Sequence, residues 1–437
     1  MNEGLENDCF VFRPYFALPH FPKFRYYKGM DAQEIAKDIV KKLVDAGHIA
    51  YFAGGWVRDF LMGHPSDDID IATDASPDQI LQLFPKTFHV GIAFGVVVVC
   101  HDGHQFEVAT FRKDIGYEDG RKPTSIEPST AEEDAKRRDF TINGMFYDPL
   151  DESIHDFVGG REDLSREIIR TIGDPFERFF EDRLRMIRAL RFACRFGFHI
   201  DTETQQAIAD HADTLFPAVS MERIWQEFSK MAAYPAFDYT LVEMHRLGLL
   251  SVIFPGLKGV HLDDIKHRVS HFHDMPKETL TIAYFLQLFP DIDQEGIKDL
   301  CRYLRTSNRD QKFAQFFHHI KTLESPDTHA WSHIYAHPDS ELCIKILAAS
   351  EPAETRSEYL AAHQQRHAGL APHIKRIIDQ VPVVTSEDLK NEGIKPGKLM
   401  GELLKESERI AILYEFHEKH EVLDKLKESQ LWKDAHE

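Results

Sequence analysis

The sequence predicts an α+β protein: a mixed β-sheet with helices in the N-terminal part, followed by an all-α half. Three observations lead there. Apolar runs of strand length, separated by helical patterns and turn signals, cluster between residues 49 and 110. From residue 201 to the end, apolar residues instead recur at helical spacing between short Gly, Pro or Asn breaks. Finally, 437 residues are too many for one core and imply two or more domains, each able to bury an apolar interior.

Residues 1–29 mix prolines and aromatics without period and read as an extension of unassigned role. In residues 31–46 Ile35, Ile39, Leu43 and Val44 fall at helical spacing, and Gly47 ends the helix. Strands follow over 49–53 and 68–73. Ser76 can cap a helix, with Pro77 at its first position and Gln79 at its third, so a helix is expected to about Phe84. Strands over 95–100 and 105–110 are turned by Asp102-Gly103. The polar stretch 111–133, with Gly116, Gly120 and two prolines, reads as a long mobile loop.

Residues 175–198 read as one helix. At about 100° per residue, Arg185, Arg188, Arg191 and Arg195 form a stripe about 120° wide with Asp182 at its edge, while Met186, Ile187, Leu190, Ala193 and Cys194 face the other way. No acidic residue occurs between Asp182 and Asp201, so the stripe is expected to lack carboxylate partners and to want an anion such as a triphosphate or RNA backbone. A solvated arginine face is the ordinary alternative. Helices are expected most clearly over 202–214, 220–233, 237–247, 297–306 and 397–435.

The formal net charge of −20 argues against a protein that coats nucleic acid through a basic surface, although a local cluster of Arg and Lys still suffices to bind phosphate. The longest apolar runs are far short of a membrane span, and the first ten residues lack a basic segment followed by an apolar one, so a cytoplasmic location without membrane contact is expected. Cys9, Cys100, Cys194, Cys301 and Cys343 are scattered and read as reduced core residues. His261, His267, His271 and His273 with Asp274 read as surface histidines, because the His and Asp strings of a phosphohydrolase metal site are missing.

The candidate site is built around residues 53–73. Gly54 and Gly55 would let the backbone approach a triphosphate and open a helix whose N-terminal amides favour anions. Asp68 and Asp70 would project from one face of a strand while Ile69 and Ile71 enter the core. Paired carboxylates repel unless a cation lies between them, and Mg²⁺ is the usual oxygen-liking candidate. Glu107 becomes a third carboxylate if its strand neighbours the pair; otherwise it makes a cross-strand polar contact. Arg137 and Arg138 beside Asp139 are either an exposed ion-pair cluster or a guanidinium fork for phosphate.

GGWVRD at 54–59, DDIDIAT at 67–73, FEVATF at 106–111, RRDFTING at 137–144, VGGREDL at 158–164 and EDRLRMIRALRF at 181–192 together resemble the class II CCA-adding tRNA nucleotidyltransferases and the related bacterial poly(A) polymerases. The resemblance covers about residues 51–198; beyond it the chain matches only in being helical. After an extension over 1–30 that fits none of its patterns, it implies a nucleotidyltransferase palm as head over 31–157, a base-recognising helical neck over 158–215, a helical body over 216–310 and a helical, RNA-binding tail over 311–437. It further implies that Asp68 and Asp70 carry two Mg²⁺ ions, with Glu107 as supporting carboxylate. The implied nucleotide-binding set is Gly54, Gly55, Arg58, Arg137, Arg138, Asp139, Asn143, Asp182, Arg185, Arg188 and Arg191. In the family the E-D-x-x-R box reads the base, here Glu181, Asp182 and Arg185. An Asp carboxylate accepts from an amino group and Arg donates to the neighbouring ring nitrogen, an edge that cytosine and adenine share and uracil and guanine lack.

The implied activity is template-independent addition of C and A from CTP and ATP to the 3′ end of tRNA. Poly(A) or A-only addition is the alternative, and an RNA-binding protein that has lost catalysis is one from another class. The loop over 116–123 resembles the flexible loop of CCA-adding members. The rather acidic tail over 397–437 also favours them over poly(A) polymerases, which tend to end in basic RNA-binding segments.

Overall fold

The computed structural model describes residues 30–88, 94–117 and 123–435. The N-terminal extension and the tip of the expected 116–123 loop lie outside them. The described residues form two compact units that divide between His267 and Arg268, inside the segment the sequence assigns to one body.

The first unit is built on a seven-stranded mixed sheet. Its strands are β1 (Ala50–Ala53), β2 (Asp70–Thr73), β3 (Thr87–Phe88), β4 (Val96–His101) and β5 (His104–Thr110). After the separate hairpin of β6 (Arg112–Tyr117) and β7 (Pro123–Pro128), β8 (Met145–Asp148) and β9 (Ser153–Asp156) complete it. The order is β3-β4-β5-β2-β1-β8-β9, and β2 runs parallel to β5 while the other pairs are antiparallel. Helices α1 (Met30–Asp45), α2 (Gly55–Leu61) and α3 (Pro77–Leu83) contribute to the core on one face, where Ile39, Leu43, Trp56, Val57 and Ile80 meet Phe52, Ile71, Val97, Phe106 and Val108. On α1 the expected Val44 is exposed and Val40 takes its place in the core, because residue 44 falls beyond the arc that holds 35, 39 and 43. The predicted cap of α3 is present: Ser76 accepts from the Gln79 amide and Gln79 reciprocates. Asp102 and Gly103 both have positive φ (45° and 80°), as a two-residue turn matched to strand twist requires.

Three expectations are corrected. The stretch 111–133 is not simply a loop: β6 and β7 pair across it, with Lys113 opposite Glu127 and Asp114 opposite Ile126, and α4 (Ala131–Lys136) follows. A two-stranded ribbon with no wholly apolar face leaves no clear period-two signal. The 175–198 helix is two helices, α6 (Pro175–Glu181) and α7 (Leu184–Phe196), after the short α5 (Gly160–Ser165). Asp182 has extended backbone at the corner, and its carboxylate accepts from the Leu184 amide at 3.1 Å, a cap that competes with continuing the helix. Lastly, residues 397–435 break into the helices Lys398–Leu413, Lys419–Lys427 and Gln430–Asp434, the first break holding Glu415 at φ 56°.

From residue 202 the described chain is helical throughout, including a 27-residue helix over Ala353–Asp379. No helix among the described residues is long and apolar enough to cross a membrane. Cys100, Cys194, Cys301 and Cys343 are free thiols, the last three buried.

Candidate active site

Strand β2 begins at Asp70, so Asp68 lies just before the ladder instead of within it. The alternation still holds: Ile69 and Ile71 are buried while Asp68 and Asp70 are exposed. Parallel pairing of Ile71 with Val108 sends both into the core and sets Glu107, one residue earlier on β5, beside Asp70 on the opposite face. That register answers the open question about Glu107. Both neighbouring carboxylates act on Asp70. Desolvation raises the pKa of Asp70, and the charges of Asp68 and Glu107 raise it further, to about 6, against the opposing pull of Arg138. The side chain is reached by solvent, yet the surrounding protein and the two neighbouring acids make its charged form costly.

The glycine turn lies against this group. Gly54 has φ 70°, and a Cβ there would stand 3.0 Å from Arg138 Nη1 and 3.8 Å from Asp70 Oδ2. The bare backbone thus lets the guanidinium approach the carboxylates. Gly54→Ala is expected to cost about 1–3 kcal/mol through left-handed strain and to displace Arg138; urea denaturation and cation titration would measure the two effects.

Arg138 is held in turn. Its Nε and Nη2 donate to Asp134 Oδ2 at 3.2 and 3.0 Å, its Nη1 donates to the Asn143 carbonyl at 3.4 Å, and its guanidinium lies 5.0 Å over Phe146. Arg137 donates from Nε to the other Asp134 oxygen at 2.8 Å. Burial pushes the Asp134 carboxyl up, but Arg138 and Arg137 outweigh it and hold the group below the usual carboxylate range.

Arg58 does not lie free for a phosphate. It is 3% exposed, its Nε donates to Asp59 at 2.9 Å, its Nη1 donates to the Asn143 side-chain carbonyl, and its guanidinium lies 4.6 Å over Phe196. Its Nη2 is also 3.4 Å from where a Gly55 Cβ would sit, so it underlies the turn. Asn143 donates to Asp139 at 3.1 Å, Asp139 accepts from Arg188 Nε at 2.9 Å, and Asp59 accepts from Arg195 at 3.0 Å. Although burial opposes it, Arg188 and Asn143 drive the Asp139 pKa well below the usual range.

The expectation of an unneutralised arginine stripe is therefore overturned. Arg185 pairs with Glu181, Arg188 with Asp139, Arg191 with Glu227 and Arg195 with Asp59. Glu181 lies on α6 and the other three acids lie 36 to 136 residues away from their arginines, so nothing on α7 itself reveals them. Two of the pairs, Arg188 with Asp139 and Arg195 with Asp59, tie α7 to the sheet-bearing part of the unit, and Arg191 ties it to the helix that holds Glu227.

At the α6–α7 corner Glu181 accepts from Arg178 and Arg185 at 2.5 and 2.6 Å, while Asp182 accepts from Arg223 at 3.2 Å. Arg178 also donates to the carbonyls of Lys136 and Arg138 at 3.2 and 2.7 Å, and Arg185 to that of Arg137 at 3.3 Å. The 136–138 segment thus binds the corner through its carbonyls and the carboxylate site through the Arg138 side chain. Sequence reasoning missed Asp134, Arg178 and Arg223. The first two lie within sequence neighbourhoods already singled out, whereas nothing local marks Arg223.

Among the described residues, no combination of Asp68, Asp70 and Glu107 closes into a cage with all three ligand atoms within 4.8 Å of one another. An all-oxygen donor set of this kind could hold a hard divalent cation.

Known proteins share this fold and much of this sequence. A family described as "Poly A polymerase head domain" matches residues 50–170, and one described as "Probable RNA and SrmB- binding site of polymerase A" matches residues 197–260. A CCA-adding enzyme of Pediococcus pentosaceus is 34% identical over 376 residues, 85% of this chain and 91% of that relative. One of Geobacillus stearothermophilus is 44% identical over 225 residues, 51% of this chain and 55% of the relative, so this match spans about half of its length. The crystal structure of the Bacillus stearothermophilus CCA-adding enzyme in complex with CTP superposes with a TM-score of 0.70 at 29% identity, covering 91% of this chain and 98% of that one.

Proposed function

The chain belongs to the CCA-adding enzyme family, and from that premise we propose that it adds C and A from CTP and ATP to the 3′ end of tRNA without a nucleic acid template. The observation that carries this reading is the register of β2 and β5, which gathers Asp70 and Glu107 on one face with Asp68, against a glycine turn and the Arg138 cation. A protein retaining only RNA binding would have no use for three mutually repelling carboxylates.

Enzymes of this family work with divalent metals. We assign Mg²⁺ here, held by Asp68 and Asp70 with Glu107 in support. When bound, it neutralises the triphosphate and acidifies the RNA 3′ hydroxyl. In this reading Arg138 faces the phosphates, and Gly54 and Gly55 let the backbone approach them. Arg58, Asp139, Asn143, Arg188 and Arg191 act one step back, fixing the turn and the neck through ion pairs and, at Asn143, hydrogen bonds. Removing one partner of a buried pair costs about 3–5 kcal/mol, enough to misplace the turn even where the intact pair adds little stability. Asp182 and Arg185 read the base, with residues 31–157 serving as head and 158–215 as neck. The protein would work in the cytoplasm, beside its tRNA substrate.

The test supplies CTP and ATP, separately and together, to tRNA lacking CCA, tRNA lacking only the terminal A and an unrelated RNA, and sequences the 3′ ends. Completion of CCA on tRNA alone is expected. Long A tails on unrelated RNA would replace this reading with poly(A) synthesis, and A added only to tRNA already ending in CC would replace it with A-only addition.

A further inference from the structure

Apart from the head carboxylates, the C-terminal unit brings two imidazoles and a carboxylate to one point. His329 and His333 lie one turn apart on the helix Thr328–Ala336, where i and i+4 share a face, and their ring centroids are 4.7 Å apart. Glu408, on the helix Lys398–Leu413, places Oε2 3.6 Å from His333 Nε2. One ligand atom from each of the three lies within 4.8 Å of the other two.

We propose that His329, His333 and Glu408 form a second metal site, taking Zn²⁺ or a similar borderline divalent ion and tying the two helices together. The chemistry of the donors favours that class: imidazole suits zinc, cobalt, nickel and copper, whereas an all-oxygen set suits magnesium. Bonds of about 2.0–2.2 Å in a tetrahedron place ligand atoms about 3.4 Å apart. The His333–Glu408 pair is already close to that spacing, and the remaining separations close by at most about 1.4 Å, which side-chain rotation can supply. Three protein ligands leave a fourth position for water.

The local charges permit it. Two arginines are close enough to act on these residues, but each has another partner: Arg409 pairs with Glu406 at 3.1 Å, and Arg376 contacts His373 and His417.

The position gives the ion a purpose. Next to the first helix is a small core of Tyr335, Ile344, Leu370 and Ile374 with Trp331; the second helix belongs to another, with Leu389, Leu403, Ile410 and Leu426. An ion shared by His329, His333 and Glu408 would join these two cores, each too small to contribute much alone.

The experiment strips the full chain of metal, saturates it with Mg²⁺ to hold the head carboxylates, and titrates Zn²⁺ by equilibrium dialysis. A tight site of about one Zn²⁺ per chain is expected, weakened at least tenfold by Glu408→Gln and abolished by His329→Ala with His333→Ala. Zn²⁺ should raise the melting temperature of the parent protein and not of the double variant. Substituted Co²⁺ should give the intense visible absorption of a tetrahedral site in the parent only. Unchanged Mg²⁺-dependent nucleotide transfer by Glu408→Gln shows that this variant folds. Equal Zn²⁺ affinity in the parent and Glu408→Gln, or equal thermal stabilisation in the parent and the double variant, would overturn the proposal.

Discussion

Replacing Asp70 by asparagine is expected to lower nucleotide transfer by about 10³-fold or more while tRNA binding changes little. Loss of several kcal/mol of charge stabilisation at a phosphoryl centre corresponds to a factor of that size. A single-turnover extension assay alongside a filter-binding titration separates the two quantities. Transfer within tenfold of the parent would mean that Asp70 does not hold the metal. The same substitution has an opposite effect on stability. Because desolvation, Asp68 and Glu107 raise the Asp70 pKa in the folded protein to about 6, above the ordinary carboxyl value near 4, folding favours its protonated form. The corresponding stability is fully present below about pH 4 and is lost as the pH rises through about 6. In the absence of metal, Asp70→Asn should therefore melt higher than the parent at pH 8, with the advantage fading as the pH falls from 6 to 4. Cation binding needs the ionised form, so the parent's affinity for Mg²⁺ should fall below pH 6. A lower melting temperature for the metal-free asparagine variant at pH 8 would contradict the crowding of charge described at this position.

What could be read from the chain alone follows from how local each signal is. The cap at Ser76, the turn at Asp102-Gly103 and the alternation at Ile69, Asp70 and Ile71 involve residues within four positions of one another, and each appears as expected. Glu107 needed one further piece of information, the neighbour of its strand, which periodicity does not contain and the β2–β5 pairing supplies. The arginines of α7 mark the opposite limit. Their acids, Asp59, Asp139 and Glu227, lie 36 to 136 residues away, so a stripe without acids on its own helix resembled an open anion surface when it is a docking face. The hairpin of β6 and β7 was hidden for a different reason: with Lys113 opposite Glu127, its stabilising pairs include polar ones, and the apolar pattern that announces a strand is weak. Strands β8 and β9 were missed altogether: Met145, Phe146 and Tyr147 of β8 are buried in succession and all four residues of β9 are half-buried, so neither strand alternates with period two.

Asp182→Ala should leave the rate of C and A addition measurable and permit U and G to be incorporated. A bidentate pairing of this kind carries about 1–3 kcal/mol of discrimination against a wrong base, so selectivity between CTP and UTP is expected to fall about tenfold to a hundredfold. The structure sharpens this prediction through Arg223. The Asp182 carboxylate has two partners, the Leu184 amide at 3.1 Å and Arg223 at 3.2 Å, and they fix it at a corner where the backbone has left the helix. Arg185, one turn further on, is directed by Glu181 and by the carbonyls of Arg178 and Arg137. Acid and guanidinium are thus held by different supports, and the supports can be removed separately. Arg223→Ala keeps the acceptor and loosens its position, so it should relax selection less than Asp182→Ala; Arg223→Lys, which keeps the charge, should recover part of the loss. Competition between CTP and UTP on one tRNA, read as the ratio of kcat/KM values, measures all three variants on a single scale. If Asp182→Ala keeps the parent ratio, base choice does not reside at this corner. If Arg223→Ala relaxes it as fully as Asp182→Ala, the arginine itself meets the base and the acid is its support.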